Sequence, residues 1–476
     1  MSSAAGAGTL RRRLSFLRRA PAVLLALFLC AALPAGAAPI ALLGATLIDG
    51  TGSPPLADAV VLIDGDRIVA AGPAGTTPVP MDAQRIDLQG KWLLPGLIDS
   101  HMHFFQSGGA FARPDILDLR ALRPYDQEVA AVRAALPDTL ARTLASGITG
   151  VVDVGGPYWT FDVRELAETL PFAPRVAVAG PLLTPYFPPP LTVEDPPMIE
   201  VATAEQARAE VRRLLPQRPD LIKIWFVRAG LNIASELTWM RAAIDEAHAA
   251  GVRVAVHATD LRLARAVVEL GADILVHGVD NEVADAQFFF AMRAAGVLYT
   301  PTLAVVENYG RTLGLSFQPT PMELRTGDPR AIQSLLALAQ LPASQRPRGL
   351  APGPAPRLDP DSAANLRRAR DAGVLITAGS DAGNIGTLHG PGLHREMELM
   401  VAAGMSPMEV LVAATKGSAR LMGRTAVGTV ERGKLADLLV LDADPLADIR
   451  NTTQIHAVMR GGTMHHPASI LQSLRQ

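Results

Sequence analysis

Between Pro95 and about Gly423, short apolar runs alternate with helical stretches, and there are eight such runs. They are Leu97–His101, Gly150–Val154, Arg175–Ala179, Leu221–Phe226, Arg253–His257, Ile274–His277, Leu298–Leu303 and Val374–Gly379. A strand buried on both faces reads as a continuous apolar run, and strand–helix alternation builds a parallel sheet. Eight such units over roughly 330 residues predict an α/β fold of the (β/α)8 TIM-barrel type. The helical stretches carry their own start and stop signals. Thr203-Ala-Glu-Gln206 and Ser406-Pro-Met-Glu409 read as capping boxes. Gly251, Gly271, Gly296 and Gly373 stand where helices should end.

The flanks differ. Ala41–Gly72 reads as three short strands, with a hairpin turn at Asp64-Gly65. Strand-like runs return after Gly428, at Ala436–Asp442 and Ile455–Arg460. Neither group suffices for a domain, so residues 38–94 and 424–476 are expected to combine into one small composite β-sandwich beside a barrel of residues 95–423. Two proline-rich segments, Leu183–Met198 and Glu307–Pro360, follow the third and seventh runs. Connections this long are uncommon, and both are expected to be lids over the strand C-terminal end.

Residues 1–37 are excluded from the fold. Arg11–Arg13 and Arg18-Arg19 precede an apolar stretch, Ala22–Leu33, and Ala35-Gly-Ala37 resembles a cleavage site. A membrane anchor fits less well, because Pro34 and Gly36 end a short run. The expectation is a signal peptide, a mature chain starting near Ala38, a periplasmic or secreted location, and no membrane association after cleavage. Cys30, the only cysteine, lies in that segment. A metal site in the mature chain must therefore use His, Asp, Glu or Lys. A net charge of −2 gives no reason to expect a nucleic-acid partner.

Ligand-type residues recur at the strand ends. His101 and His103 are two residues apart, and positions i and i+2 of a strand share a side. Lys223 interrupts the apolar run Leu221-Ile-Lys-Ile-Trp-Phe226, which is costly for a charge without a partner or a modification. His257 and His277 end the fifth and sixth runs, and Asp381 lies in Thr377-Ala-Gly-Ser-Asp-Ala-Gly383. Alone, His257 and His277 read more simply as core or strand-end histidines and Asp381 as a cap or turn aspartate, whereas a lysine snorkelling to water is the weaker reading of Lys223. Together they would meet on the face where barrel enzymes keep their sites. Imidazole and carboxylate donors without thiolate suit Zn²⁺ or a related divalent ion. Asp381 could take a proton from water and pass it to a leaving group.

The set resembles the amidohydrolase superfamily, and within it the imidazolonepropionase-related amidohydrolases that include secreted dipeptidases and acylamino-acid hydrolases. Pro95-Gly-Leu-Ile-Asp-Ser-His-Met-His103 is similar to the family's first-strand motif. Gly428-Thr-Val-Glu-Arg-Gly-Lys-Leu-Ala-Asp-Leu-Leu-Val-Leu-Asp442 is similar to its C-terminal signature. The resemblance spans about Ala41 to Gly462. It implies two divalent metal ions. His101, His103 and Asp381 would hold one, and His257 and His277 the other. Lys223, carboxylated to a carbamate, would bridge them. Imidazolonepropionases proper lack that bridging lysine.

The expected activity is hydrolysis of amide bonds in dipeptides or N-acyl amino acids, with Asp381 as the catalytic acid–base. The alternatives are a lactonase, phosphotriesterase or cyclic-amide hydrolase on the same metals, or a catalytically silent binding protein. Arg228, Tyr158 and His389, with His394 beside them, are candidate substrate contacts. A homo-oligomer is the expectation that the resemblance carries for assembly.

Overall fold

The computed structural model describes residues 38–226, 233–354 and 356–475. The expected signal peptide (1–37) and Arg228 lie outside the described residues.

One sheet of eight strands is built from both flanks. Its order runs Thr463–His465, Ile455–Arg460, Leu438–Leu441, Trp92–Pro95, Ile40–Leu47, Leu56–Asp64 and Arg67–Pro73, with Gln84–Asp87 also paired to Ile40–Leu47. The junction between the flanks is antiparallel, with Leu438 opposite Pro95 and Leu441 opposite Trp92. Side chains alternate across the pleat. Leu42, Val61, Ile63 and Ile68 from one end share a buried cluster with Leu438, Val440 and Met459 from the other.

The remainder is a TIM-barrel-type α/β fold. Leu97–Met102, Ile148–Asp153 and Arg175–Val178 form one parallel sheet. Leu221–Trp225, Arg253–His257, Ile274–Val276, Leu298–Thr300 and Leu375–Ile376 run parallel in a second. Hydrogen bonds link the two. Asp220 N donates to Val178 O at 2.9 Å, Ser100 N to Ala378 O at 3.0 Å, and His103 N to Ala382 O at 2.8 Å. Ile98, Val152, Ala177, Leu221, Ala255, Ile274 and Leu298 from successive strands share one buried cluster. Both capping boxes form, at Thr203 and Ser406, and Gly251, Gly271, Gly296 and Gly373 all take positive φ after their helices.

The two proline-rich segments hold regular structure. Glu307–Pro360 is largely helical. It contains the end of the helix Leu303–Leu313 and the helices Pro321–Thr326 and Pro329–Leu338. Several of its prolines mark helix starts. Pro321 follows the N-cap Thr320 of a full capping box, and Pro329 and Pro360 follow the N-caps Asp328 and Asp359. Proline is favoured at that position, where its missing N–H is not needed. Reading proline as loop composition therefore missed three helix starts. Leu183–Met198 is framed by the strands Leu182–Thr184 and Met198–Glu200, which pair with each other in parallel and extend the second sheet. Inside the loop, Asp195 accepts hydrogen bonds from Tyr158 N and Trp159 N, both at 3.1 Å.

Candidate metal centre and its cavity

His101 is fully buried near the end of its strand, and the end of the eighth strand closes over it. A Cβ on Gly379 would stand 2.7 Å from His101 Cβ, and one on Gly383 2.5 Å from His103 O. The glycines of Ala-Gly-Ser-Asp-Ala-Gly thus permit close backbone contact, which brings Asp381 against the histidines. Asp381 Oδ1 lies 3.4 Å from His101 Nε2 and 3.1 Å from His103 Nε2. One ligand atom each from His101, His277 and Asp381 lie within 4.8 Å of one another. The ring of His277 is 4.8 Å from that of His101 and 4.3 Å from that of His257. Lys223 is 1% exposed, and its Nζ has no hydrogen-bond partner.

The donor chemistry points outward from each ring. His103 Nδ1 sits 2.7 Å from Gly155 O. A carbonyl only accepts, so Nδ1 carries the hydrogen, and in the neutral ring the Nε2 lone pair faces Asp381 Oδ1. Two acceptors 3.1 Å apart need a proton or a metal ion to draw them together. His277 Nδ1 lies 2.6 Å from Thr302 Oγ1, which leaves Nε2 for the cluster. Both nitrogens of His101 and Nδ1 of His257 are buried without partners. Buried polar atoms are normally satisfied. Unpartnered buried imidazole nitrogens and an unpartnered amine beside a carboxylate are a donor set that a divalent ion satisfies, so these residues fit a metal.

Burial, then the neighbouring Lys223 and His277, hold His101 well below the usual imidazole range. Burial and Lys223 do the same to His257, and burial and His257 to His277. Neutral imidazole is the ligand form. Burial pulls the Lys223 amine down to about 7.

Backbone strain gathers here. His277, Thr302 and Asp381 have φ of 71°, 49° and 56°. Such left-handed residues cost of order 1–3 kcal/mol each and persist where surrounding structure enforces them.

His103, Lys223, His257, His277 and Asp381 all line one cavity of about 620 Å³. That is the size of a small-molecule site. Tyr158 and His389 are placed elsewhere. Arg213 stacks over the Tyr158 ring at 5.1 Å. His389 Nε2 bonds His103 O at 3.0 Å, its ring stacks on Phe104, and it lines a separate cavity of about 150 Å³. His394 is buried and bonds Thr452 Oγ1 and Ser146 O.

Other groups beside the cluster escaped the sequence reading. Asn384 Nδ2 donates to Asp381 Oδ1 at 2.8 Å. Asn384 Oδ1 accepts from Arg113 Nη1 and Tyr309 Oη, both at 2.7 Å. Asp115 grips Arg113 with two bonds, of 2.8 and 2.6 Å. Asn384 directly follows the motif, three residues after Asp381, and was within reach of inspection. Arg113 and Tyr309 come from distant segments that no local pattern connects.

Comparisons with known proteins give the family and the fold. The pattern of the amidohydrolase family matches residues 92–464. An imidazolonepropionase of Acidiphilium cryptum is 30% identical over 271 residues, half of this chain and 62% of that one. The match thus spans less than two thirds of that relative's length. A provisionally named prolidase of Bifidobacterium longum superposes with a TM-score of 0.65 at 25% identity, over 93% of this chain and all of that one. A Xaa-Pro dipeptidase solved with methionine in its active site gives 0.68 at 23% identity, over 90% of this chain and all of that one.

Proposed function

The chain belongs to the amidohydrolase family, and from that membership we propose that it is a metal-dependent hydrolase of carbon–nitrogen bonds, acting on dipeptides or N-acyl amino acids. The observation that carries this reading is the pair His103 Nε2 and Asp381 Oδ1, two acceptors 3.1 Å apart in a cluster of unpartnered buried nitrogens. We read the two parallel sheets as one closed (β/α)8 barrel and the eight-stranded sheet as a composite sandwich domain. The bonds from Ser100 to Ala378 and from Asp220 to Val178 support the closure.

His101, His103 and Asp381 would hold one divalent ion, and His257 and His277 a second. Zn²⁺ is the ion best suited to this donor set. Lys223, carboxylated on Nζ, would bridge them as an anionic two-oxygen ligand, whereas an ammonium would repel both. When bound, such ions polarise a carbonyl and acidify a water. Asp381 accepts the proton that water releases as its oxygen bonds to the carbonyl carbon. Asp381 then returns the proton to the nitrogen as the C–N bond breaks, giving an acid and an amine. Asn384 orients Asp381 from the side, and Thr302 and Gly155 fix the His277 and His103 rings.

Export completes the proposal: the basic region, apolar run and Ala35-Gly-Ala37 place the mature start near Ala38. N-terminal sequencing of fractionated material tests it, and a cytoplasmic chain retaining Met1 sinks it. The activity is tested by screening dipeptides and N-acyl amino acids for amine release, with elemental analysis of the same sample. Amine release that chelator abolishes, at about two ions per chain, supports the reading. Hydrolysis confined to lactones, esters or phosphotriesters overturns it. In Lys223→Ala, unchanged metal content and turnover would remove the bridge.

A further inference from the structure

The charges on the cavity wall fall into two groups, those already committed and those free. Arg113 spends Nε and Nη2 on Asp115 and Nη1 on Asn384. Glu307 is gripped by Arg395 through bonds of 2.9 and 2.8 Å. Asp359 caps the helix Pro360–Asp371, accepting from Ser362 N at 2.7 Å. Arg357 and Asp280 also line the cavity. Both are exposed, and among the described residues neither makes an ion pair.

Neither residue sits on loose chain. Leu358, next to Arg357, packs against the main core, and Asp359 beyond it is fixed by its cap. Asp280 N donates to Thr259 O at 3.1 Å. The same cavity reaches the buried, unpartnered Lys223 Nζ, and Trp225, Met198, Phe105 and Val306 make much of the remaining wall apolar.

We propose that the cavity selects an unblocked dipeptide with apolar side chains, Arg357 holding its free carboxylate and Asp280 its free ammonium. This rests on the amide-hydrolase reading above and narrows it. N-acyl amino acids present only the anion, and lactones, esters and neutral amides present neither charge. A planar guanidinium with unspent donors can take a carboxylate through two parallel bonds. Burial, with the nearby Asp359 and Asp260 carboxylates, pushes the Asp280 carboxyl upward. An arriving ammonium relieves that repulsion. Arg113 cannot substitute for Arg357, since engaging substrate would break its fork with Asp115 or its bond to Asn384.

The test compares an apolar dipeptide with its N-acetyl form and its C-terminal amide, using the metal-loaded full chain. Wild type should favour the unblocked peptide over either blocked form by about tenfold to a hundredfold in kcat/KM, the range for one hydrogen-bonded charge. Arg357→Met should shrink the acid-to-amide ratio to within about threefold while keeping the preference for a free amine. Asp280→Asn should do the reverse. Each variant thereby controls for the folding of the other. Cleavage of all three peptides at similar kcat/KM by wild type overturns the inference alone. So does an Arg357→Met that keeps its acid preference. If wild type cleaves none of the three but opens a lactone or ester, the amide-hydrolase reading itself has failed, and the dipeptide site with it.

Discussion

Replacing Asn384 with Leu should cut turnover while sparing the fold. The side chains are similar in volume, but the amide makes four polar contacts, one of them from Nδ2 to Asp381 O at 3.2 Å. Its N–H bonds Asp381 Oδ1 at 2.8 Å, and its carbonyl accepts from Arg113 and Tyr309 at 2.7 Å. A hydrogen bond to a charged group is worth about 1.5–3 kcal/mol, and each buried donor left unpaired costs about 1–3 kcal/mol. If the Asp381 bond is felt fully in the transition state, kcat should fall by about 10- to 150-fold. Stability should fall by about 3 kcal/mol. Over roughly 440 residues at about 2.1 cal/mol/K each, that lowers Tm by about 3 °C. Asn384→Asp separates the two effects. It keeps an acceptor for Arg113 and Tyr309 but loses the donor and sets a second carboxylate beside Asp381. Its Tm should stay near wild type while kcat falls at least as far. The assay is steady-state hydrolysis of the best dipeptide, with metal content and calorimetry on the same preparations. Asn384→Leu with full metal and a kcat within twofold of wild type would refute the positioning role.

Thr302→Val should weaken metal binding by about 10- to 100-fold, because the hydroxyl that orients His277 at 2.6 Å is gone; competition with a chelator measures it. Asp437→Ala strands Arg175, which Asp437 holds at 2.6 and 3.1 Å between the composite sheet and the third barrel strand. Breaking a buried pair costs about 3–5 kcal/mol, so Tm should drop by about 3–6 °C in a calorimetric scan. Glu396 supplies the pH prediction. Burial pushes its carboxyl up to about 8, against the pull of the Ala304 and Leu303 N–H groups. A raised folded-state pKa means the folded chain binds the extra proton, so this contribution is present below about pH 4.5 and is lost as pH rises through about 8. Glu396→Gln cannot ionise. Its Tm relative to wild type should therefore rise from about pH 5 to about pH 8 and level off above, and a flat difference throughout would contradict the assignment.

The barrel alternation was legible because burial on both faces leaves an uninterrupted apolar run that needs no tertiary knowledge. The strand ends were less so. Ile274–His277 was read as continuous, yet regular pairing stops at Val276, because His277 turns into the left-handed region with φ of 71°. Leu298–Leu303 likewise breaks at Thr300, and Leu303 already belongs to the next helix. The first break carries His277 and the second Thr302, which bonds it, so local propensity fails at this part of the site. The helices within Glu307–Pro360 were hidden by proline content, although Thr320-Pro-Met-Glu323 carried the same capping signal recognised at Ser406. The six ligand-type residues could be named because each lies in, at the end of, or just beyond an apolar run. Asn384, Arg113 and Tyr309 could not be joined, because they lie in distant segments that only the tertiary fold brings together.

The pairing of Trp92–Pro95 with Leu438–Leu441 has a kinetic consequence. The N-terminal strands must wait for a partner that lies roughly 350 residues later, and at about 5–20 residues per second synthesis alone imposes a delay of roughly 20 to 70 s. Throughout that interval Leu93 and Leu94 stand on an open strand edge, the kind of surface that recruits other chains. Yield in refolding should therefore depend steeply on protein concentration. A circular permutant joining the two flanks by a short linker, opened at an exposed barrel loop, should fold faster and aggregate less, since its edge strand would meet its partner at once.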